Sequence, residues 1–257
     1  MTGLDRLSIH SSVPICSALS QMHCQLTELL YHCLSSYSYP ISGFLSTQPT
    51  IEKLIIVCPA DGLSNLAPEA LPALRDLNVP VQLLSTPLIS HLSRLSRLFV
   101  LNTVTNLAQF VQLAGSLQTI TVPRLLELLV GIDTSMDPRA IEIASIGLGY
   151  LGSAAPFVTS LKLNIDQGYI WQDELHDMFL FVLPRFPNLR TLTMMSPPPY
   201  EITYTRNFQM RKLSQSISPP HNALSSALTT DISLLLLALQ SGSTQDQPNS
   251  DALHDKS

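Results

Sequence analysis

At 257 residues, with 45% hydrophobic and 13% charged side chains, the chain is long enough to bury a core and too apolar for the disordered class. Its formal net charge of −5 comes from few charges of both signs. No basic stripe of the kind nucleic-acid binding requires is visible, and the small group Arg206, Arg211 and Lys212 reads as a solvated face. Mean hydropathy is +0.23, yet the longest strongly apolar run, Ile232 to Leu239, is far short of the roughly 20 residues that cross a bilayer.

From the first residue, Met1-Thr-Gly-Leu-Asp-Arg6 opens no apolar signal-peptide core, and no Asn-x-Ser/Thr sequon follows. An intracellular address, cytoplasmic or nuclear, is therefore expected, with no membrane anchor. Residues 15 to 34 place Ile15, Ala18, Leu19, Met22, Leu26, Leu29, Leu30 and Cys33 at helical spacing. That predicts an amphipathic helix within an N-terminal capping region, 1–40. Four cysteines, Cys16, Cys24, Cys33 and Cys58, are too few and scattered for a disulfide framework. The pairs His23-Cys24 and His32-Cys33 would stand about 12 Å apart on a helix, too far to share a zinc ion, so no metal site is expected.

From about residue 41 one short pattern recurs: Pro-x-apolar-x-x-Leu-x-apolar. It appears at Pro49 to Ile56, Pro72 to Val79, Pro123 to Val130, Pro156 to Leu163 and Pro187 to Met194. A sixth copy, Leu95 to Val100, has Ser93 in place of the proline. Its first apolar positions are Ile51, Leu74, Leu95, Leu125, Val158 and Leu189, at intervals between 21 (74 to 95) and 33 (125 to 158) residues. The fourth and sixth positions share one face of a short strand and point inward, while proline ends the preceding helix. Between the strands, helical spacing appears in Asn106 to Leu113, after the Asp137-Pro138 start signal, and in Trp171 to Leu183. The predicted fold is α/β: an irregular leucine-rich-repeat solenoid over 41–196, with short parallel strands alternating with helices. An irregular segment with a capping helix near 223 to 239 would fill 197–240, and 241–257 reads as a disordered polar tail.

Two motifs invite a catalytic reading. Gly147-Leu-Gly149-Tyr-Leu-Gly152 matches the dinucleotide fingerprint, with Ile141 to Ile146 as its strand and Asp166 near the expected acidic position. A nucleotide-binding α/β enzyme is the alternative this defines. Against it, Pro156 leaves no room for the crossing helix, and the glycines equally suit a closely packed helix begun at Asp137-Pro138. The run Asp173-Glu174-Leu175-His176-Asp177 puts Asp173 and Asp177 on one helix face, where they could chelate a cation or line a solvated side. No Gly-Lys-Ser/Thr loop and no Gly-x-Ser-x-Gly elbow occurs, so no catalytic residue or cofactor is assigned.

The segments Phe44 to Leu54, Leu71 to Leu77 and Leu183 to Leu192 resemble the divergent leucine-rich repeats of F-box-type proteins, particularly the expanded fungal ones, over residues 40 to 195. Leu66-Ala-Pro-Glu69-Ala-Leu71 faintly resembles an F-box opening but sits between two repeats. In that family the F-box recruits the adaptor of a cullin-type ubiquitin ligase and the repeats hold the substrate. The resemblance implies a non-catalytic protein-binding module, the substrate-receptor half of such a ligase. Here the first 40 residues carry no recognisable F-box. The asparagine ladder is also missing, with Pro59, Gln82, Thr103, Asp133, Asp166 and Pro197 at its place. On a concave strand face the outward residues are Lys53, Ile55, Asp76, Asn78, Arg97, Phe99, Glu127, Leu129, Ser160, Lys162, Thr191 and Thr193. Ile55, Phe99 and Leu129 would form an apolar strip with a polar rim, the expected seat of a protein partner.

Overall fold

The computed structural model describes residues 4–11, 19, 21–22, 24–33, 40–120, 124–135, 139–168 and 170–195, and the backbone of 228–231. It is an α/β chain built on one open sheet. Eight parallel strands follow one another in chain order: β1 (Arg6–Ser11), β2 (Glu28–Cys33), β3 (Lys53–Val57), β4 (Asp76–Val79), β5 (Arg97–Val104), β6 (Leu126–Asp133), β7 (Val158–Gln167) and β8 (Thr191–Met195). A ninth, β9 (Leu228–Asp231), pairs antiparallel with β8. From β2 to β8 the described connections contain helical segments. They include α1 (Ser42–Ser46), α2 (Leu107–Gln118), α3 (Ala140–Ala154), α4 (Gln172–Val182) and 3₁₀ turns at Ala60–Leu63, Val81–Ser85, Pro87–Arg94 and Leu183–Arg185.

The spacing of the sequence pattern explains which connection forms. Where successive strands start 23 (53 to 76) or 21 (76 to 97) residues apart, only 3₁₀ turns fit between them. Where the interval grows to 30 (97 to 127) residues or more, a full α-helix of 11 to 15 residues returns the chain. Asn106 starts α2 by accepting a hydrogen bond from the Gln109 N–H at 3.1 Å, an N-cap that satisfies one of the helix's orphan donors. The Asp137-Pro138 signal lies outside the described residues, and α3 begins two residues beyond it.

Each strand buries alternate residues. Leu29, Leu54, Leu77, Leu98, Leu128, Leu161 and Leu192 form one inward row, all at most 3% exposed, and they lie in register across the sheet. Tyr31, Ile56, Val79, Val100, Val130 and Leu163 form the next, packed with Phe110, Leu113, Leu148, Leu151, Met178 and Val182 of the helices into one core. Among the described residues no helix covers the opposite sheet face, and its side chains are half-buried at most among their neighbours.

Three sequence expectations are corrected. The helix expected over 15–34 is not present where the chain is described, because Glu28–Cys33 is strand β2, paired on both sides. The capping region 1–40 thus contributes two strands rather than a cap, and its 12–18 and 34–39 parts lie outside the described residues. The helix expected over 223–239 meets β9 at 228–231; the remainder, like the tail 241–257, lies outside the described residues. In the Pro123 copy the inward residue is Leu126, 2% exposed and paired with Val158, whereas Leu125 is 63% exposed.

The asparagine ladder has irregular substitutes. Gln48, 1% exposed, accepts from the Leu26 N–H at 3.0 Å and donates to the Cys24 carbonyl at 3.1 Å. Asn102 accepts from the Val81 N–H at 2.7 Å, and Asn188 donates to the Pro156 carbonyl at 2.8 Å. Each satisfies backbone groups of the preceding strand-connecting segment that the parallel ladder leaves unpaired.

Candidate functional site: the open face of the sheet

Because the strands are parallel and almost in step, residues two apart on each strand generate straight rows across the open face. The first row is Arg6, Glu28, Lys53, Asp76, Arg97, Glu127, Ser160 and Thr191. Its first six members alternate in sign. The second row is Ser8, Leu30, Ile55, Asn78, Phe99, Leu129, Lys162 and Thr193. It is apolar on four of the five strands β2 to β6.

The alternating row is closed by ion pairs. Glu28 sits between Lys53, whose Nζ is 2.6 Å from Oε1, and Arg6, whose Nε is 3.2 Å from Oε2. Arg97 grips Asp76 with two nitrogens, Nε to Oδ1 at 2.6 Å and Nη2 to Oδ2. Lys162, from the second row, reaches back to Glu127. The hydrogen bond from Lys53 holds the Glu28 carboxyl below its ordinary value; partial burial opposes this, and the charges of Lys53 and Arg6 reinforce it. Asp76 in turn raises the Arg97 guanidinium through the same hydrogen bonds and its charge.

The partners are unequally exposed. The cationic side chains of Lys53, Arg97 and Lys162 are 40%, 62% and 38% exposed, against 22%, 13% and 30% for Glu28, Asp76 and Glu127. The carboxylates lie low against the sheet and the cations stand above them. A shallow depression of about 240 Å³ runs over this region. It is lined by eight of the twelve residues expected to face outward, Lys53, Asp76, Asn78, Arg97, Phe99, Glu127, Leu129 and Lys162, together with Leu98. Ile55 lies just outside it, in the same row as Asn78.

Arg6, Glu28 and Leu30 belong to the same rows and escaped sequence reasoning, because the segment carrying two of them was read as helix. Their signal was present: Leu26-x-x-Leu29-x-Tyr31 and Leu4-x-x-Leu7-x-Ile9 repeat the apolar spacing without the proline. Near the strands' C-terminal ends, Asp166 accepts hydrogen bonds from Thr103 of β5 and Asn164 of β7. It reaches β5 by passing over Gly131 of β6, where a Cβ would sit 2.5 Å from its Oδ2.

The catalytic-looking motifs resolve into packing. Gly147, Gly149 and Gly152 lie inside α3, and Ile141 to Ile146 is helix rather than strand. A fingerprint requires its glycines at a strand-to-helix turn, with the helix N-terminus facing the pyrophosphate. Here a Cβ at Gly147 would meet Phe110, one at Gly149 would meet Phe181 at 2.9 Å, and one at Gly152 would meet Phe186 at 2.7 Å. The glycines let α3 approach the neighbouring elements, so the geometry of the nucleotide alternative is absent. Asp173 and Asp177 are exposed on α4. Adjacent residues of β2 point to opposite faces, so His32 lies on the open face and Cys33 in the core. Among the described residues no group of three or more His, Cys, Asp and Glu is placed to hold a metal ion. No helix among them is long and apolar enough to cross a membrane.

The fold and this face define an α/β chain with a parallel sheet that, among the described residues, is covered by helices on one side. Comparison with protein-family models, with curated proteins and with solved structures finds no match in any of the three.

Proposed function

We propose that the chain is a leucine-rich-repeat-type solenoid whose open sheet face binds another protein, without catalysis by the chain itself. The observation that carries this reading is the pair of aligned rows. Leu30, Ile55, Phe99 and Leu129 form a half-buried apolar strip on a face that no helix covers among the described residues, bordered by a row of paired charges. All-parallel sheets ordinarily bury both faces, and an apolar centre inside a polar rim is how protein interfaces are built. The recurring strand-and-helix unit, one strand per 21 to 33 residues (74 to 95; 125 to 158), supports the solenoid assignment.

The same reading, joined to the resemblance to F-box-type receptors, makes the partner a ubiquitin-ligase substrate. What speaks against adaptor recruitment is that residues 6–11 and 28–33 are strands of this sheet rather than F-box helices.

Site-specific photo-crosslinking tests the reading. A photoreactive residue placed at Phe99 should yield adducts with a discrete protein in extracts of cells that make the chain. The same residue at Val111, exposed on the helical side, should not. Equal labelling from both positions, or none from position 99, would refute the assignment. Recovery of the cullin-ligase adaptor among the adducts would add the ligase link.

A further inference from the structure

Further along β1 and β2, about 13 Å from the Arg6–Glu28 ion pair, two histidines stand side by side on the open face. His10 is paired in register with His32. Side chains at 6, 8 and 10 of β1 share that face with those at 28, 30 and 32 of β2, because alternate residues of a strand point the same way. His10 is exposed and His32 half-buried. Their rings meet edge to face, with centroids 5.6 Å apart and planes at 76°. Val57 of β3 continues the row beside His32 and is half-buried. On the other side β1 ends the strand order. The pair therefore has an apolar neighbour on one flank and the sheet edge on the other.

Two imidazoles at this separation suit one metal ion. Each binds through a neutral ring nitrogen at about 2.0–2.1 Å, which puts the centroids of two rings on one tetrahedral ion about 5 Å apart. The observed 5.6 Å is a small turn of the exposed His10 ring away from that. Nitrogen ligands suit Zn²⁺, Cu²⁺ or Ni²⁺, whereas Mg²⁺ and Ca²⁺ require oxygen. Among the described residues no third His, Cys, Asp or Glu joins the pair. Glu28 is engaged by Lys53 and Arg6, and Cys33 is turned into the core. The other coordination positions of such an ion face solvent. That is the pattern of an open site, unlike the four protein ligands of a structural zinc.

We propose that His10 and His32 together bind one divalent transition-metal ion, which ties β1 to β2 and keeps its remaining positions for water or for a donor atom of a molecule on the open face. The site does not depend on the protein-binding reading, since neither histidine belongs to the apolar strip or the charged row. Among the described residues β1 pairs with β2 alone. The ion is thus a second link, through side chains, that holds the outermost strand to the sheet.

The test is calorimetric titration of Ni²⁺, an ion that imidazole suits, into the full-length chain, with Mg²⁺ as the oxygen-seeking control. The strongest nickel site should weaken roughly tenfold or more in His10→Ala and equally in His32→Ala, because either loss removes the intramolecular second ligand. The double variant should lose little beyond either single one, as expected of two groups that act as a unit. His176→Ala, exposed on α4 beside Asp173 and Asp177, should leave that site unchanged. Zn²⁺ should displace the nickel and Mg²⁺ should not. Hydrogen exchange read by mass spectrometry should slow in β1 when Ni²⁺ is added to the unaltered chain, and should not respond in His10→Ala. His10 is exposed, so its truncation leaves the core intact, and it decides the matter alone if His32→Ala fails to fold. A strongest site that survives either substitution, losses that add as for two separate single-histidine ions, or no nickel binding would overturn the proposal. So would binding that leaves β1 exchange unchanged, since the ion would then not bridge the strands.

Discussion

Two identical substitutions at helical glycines should have opposite effects. At Gly147 an added Cβ would lie inside contact distance of the Phe110 ring and 2.8 Å from the Phe110 Cβ. A ring can turn aside, but a Cβ is tied to its backbone, and Phe110 is 1% exposed and enclosed by the core. Helix α3 must back away from α2, an overpacking cost at the upper end of the ~1–3 kcal/mol range. Replacing glycine in a helix returns about 1 kcal/mol of backbone entropy, so Gly147→Ala should lose a net ~2 kcal/mol. Gly115, on α2, has nothing within 4 Å of its added Cβ. Gly115→Ala should therefore gain the entropy alone, ~0.5–1 kcal/mol. In urea unfolding the first variant should lower the midpoint and the second raise it, with unchanged slope. The corresponding thermal shifts are a fall of roughly 4–8 °C and a rise of roughly 1–4 °C for a chain of this size. If Gly147→Ala were as stabilising as Gly115→Ala, the close approach of α2 and α3 would be wrong. The glycine motif would then need a reason other than packing.

Further consequences can be measured independently. Phe99→Ala should reduce partner affinity by about 1–3 kcal/mol while leaving the thermal transition nearly in place, since Phe99 lies on the open face; calorimetric titration with the crosslinked partner checks it. Gln48→Leu removes both the acceptor for the buried Leu26 N–H and the donor to the Cys24 carbonyl. It should cost about 1–3 kcal/mol and abolish hydrogen-exchange protection around 24–29 before the rest of the sheet. His91 is fully buried, its Nδ1 bonded to Ser90 Oγ at 2.8 Å, and burial holds its pKa below 6.5 against the opposing pull of the Ala70 carbonyl, with Arg94 adding to the lowering. Its folded value is depressed, so its stability contribution is complete above 6.5 and is lost as pH falls towards the folded value. In His91→Phe the slope of stability with pH just below 6.5 should shrink, as read by urea titrations across that window. The Glu28 carboxyl, lowered from 4.5, acts in the same direction in a more acid window, and Glu28→Gln should flatten the curve only there.

Six of the eight parallel strands were legible, five of them because their pattern carries two signals at once, alternation in the strand and a helix-ending residue before it, and β5, with Ser93 before it, by its alternation and its place in the repeat. Where the proline is missing the signal halves. Leu26, Leu29 and Tyr31 fit a strand, but Leu19, Met22, Leu26 and Leu29 fit a helix equally, and local periodicity cannot choose between them. The choice is made by pairing: Glu28 to Cys33 have a strand on each side to bond with, which no window of sequence contains. The misplacement of Leu125 has a similar cause. Two adjacent leucines leave the inward one undetermined, and an irregularity in register at Leu126 and Glu127 decides it. Asn102 was overlooked as a ladder residue because it stands one place before the expected position, at Thr103. The residues of the open face were legible for the opposite reason. A period of two is strict, so once Leu54, Leu77, Leu98 and Leu128 are inward, Lys53, Asp76, Arg97 and Glu127 have no choice of face.

That strictness also bears on why the charges alternate. An exposed ion pair contributes only about 0.2–1 kcal/mol, so the four cross-strand pairs on this face are a minor part of the chain's stability. Their effect on specificity is larger. Stacking β3 on the wrong side of β2, or skipping β4, would bring like charges together at about 4.8 Å. The same slip would change the neighbours of Ile55 or Phe99 within their row. Parallel sheets ordinarily carry helices on both faces; here, where the described residues put helices on one face, the alternating row adds its own constraint on strand order. Reversing one charge, as in Asp76→Lys, should therefore cost more than the Arg97 pair alone is worth. It places three adjacent cations at Lys53, 76 and Arg97, whereas Asp76→Asn removes one pair and adds no repulsion. The difference between these two variants in urea midpoint, and its shrinkage in high salt, measures the ordering role of the row. Equal midpoints would mean that the hydrophobic inward rows set strand order unaided.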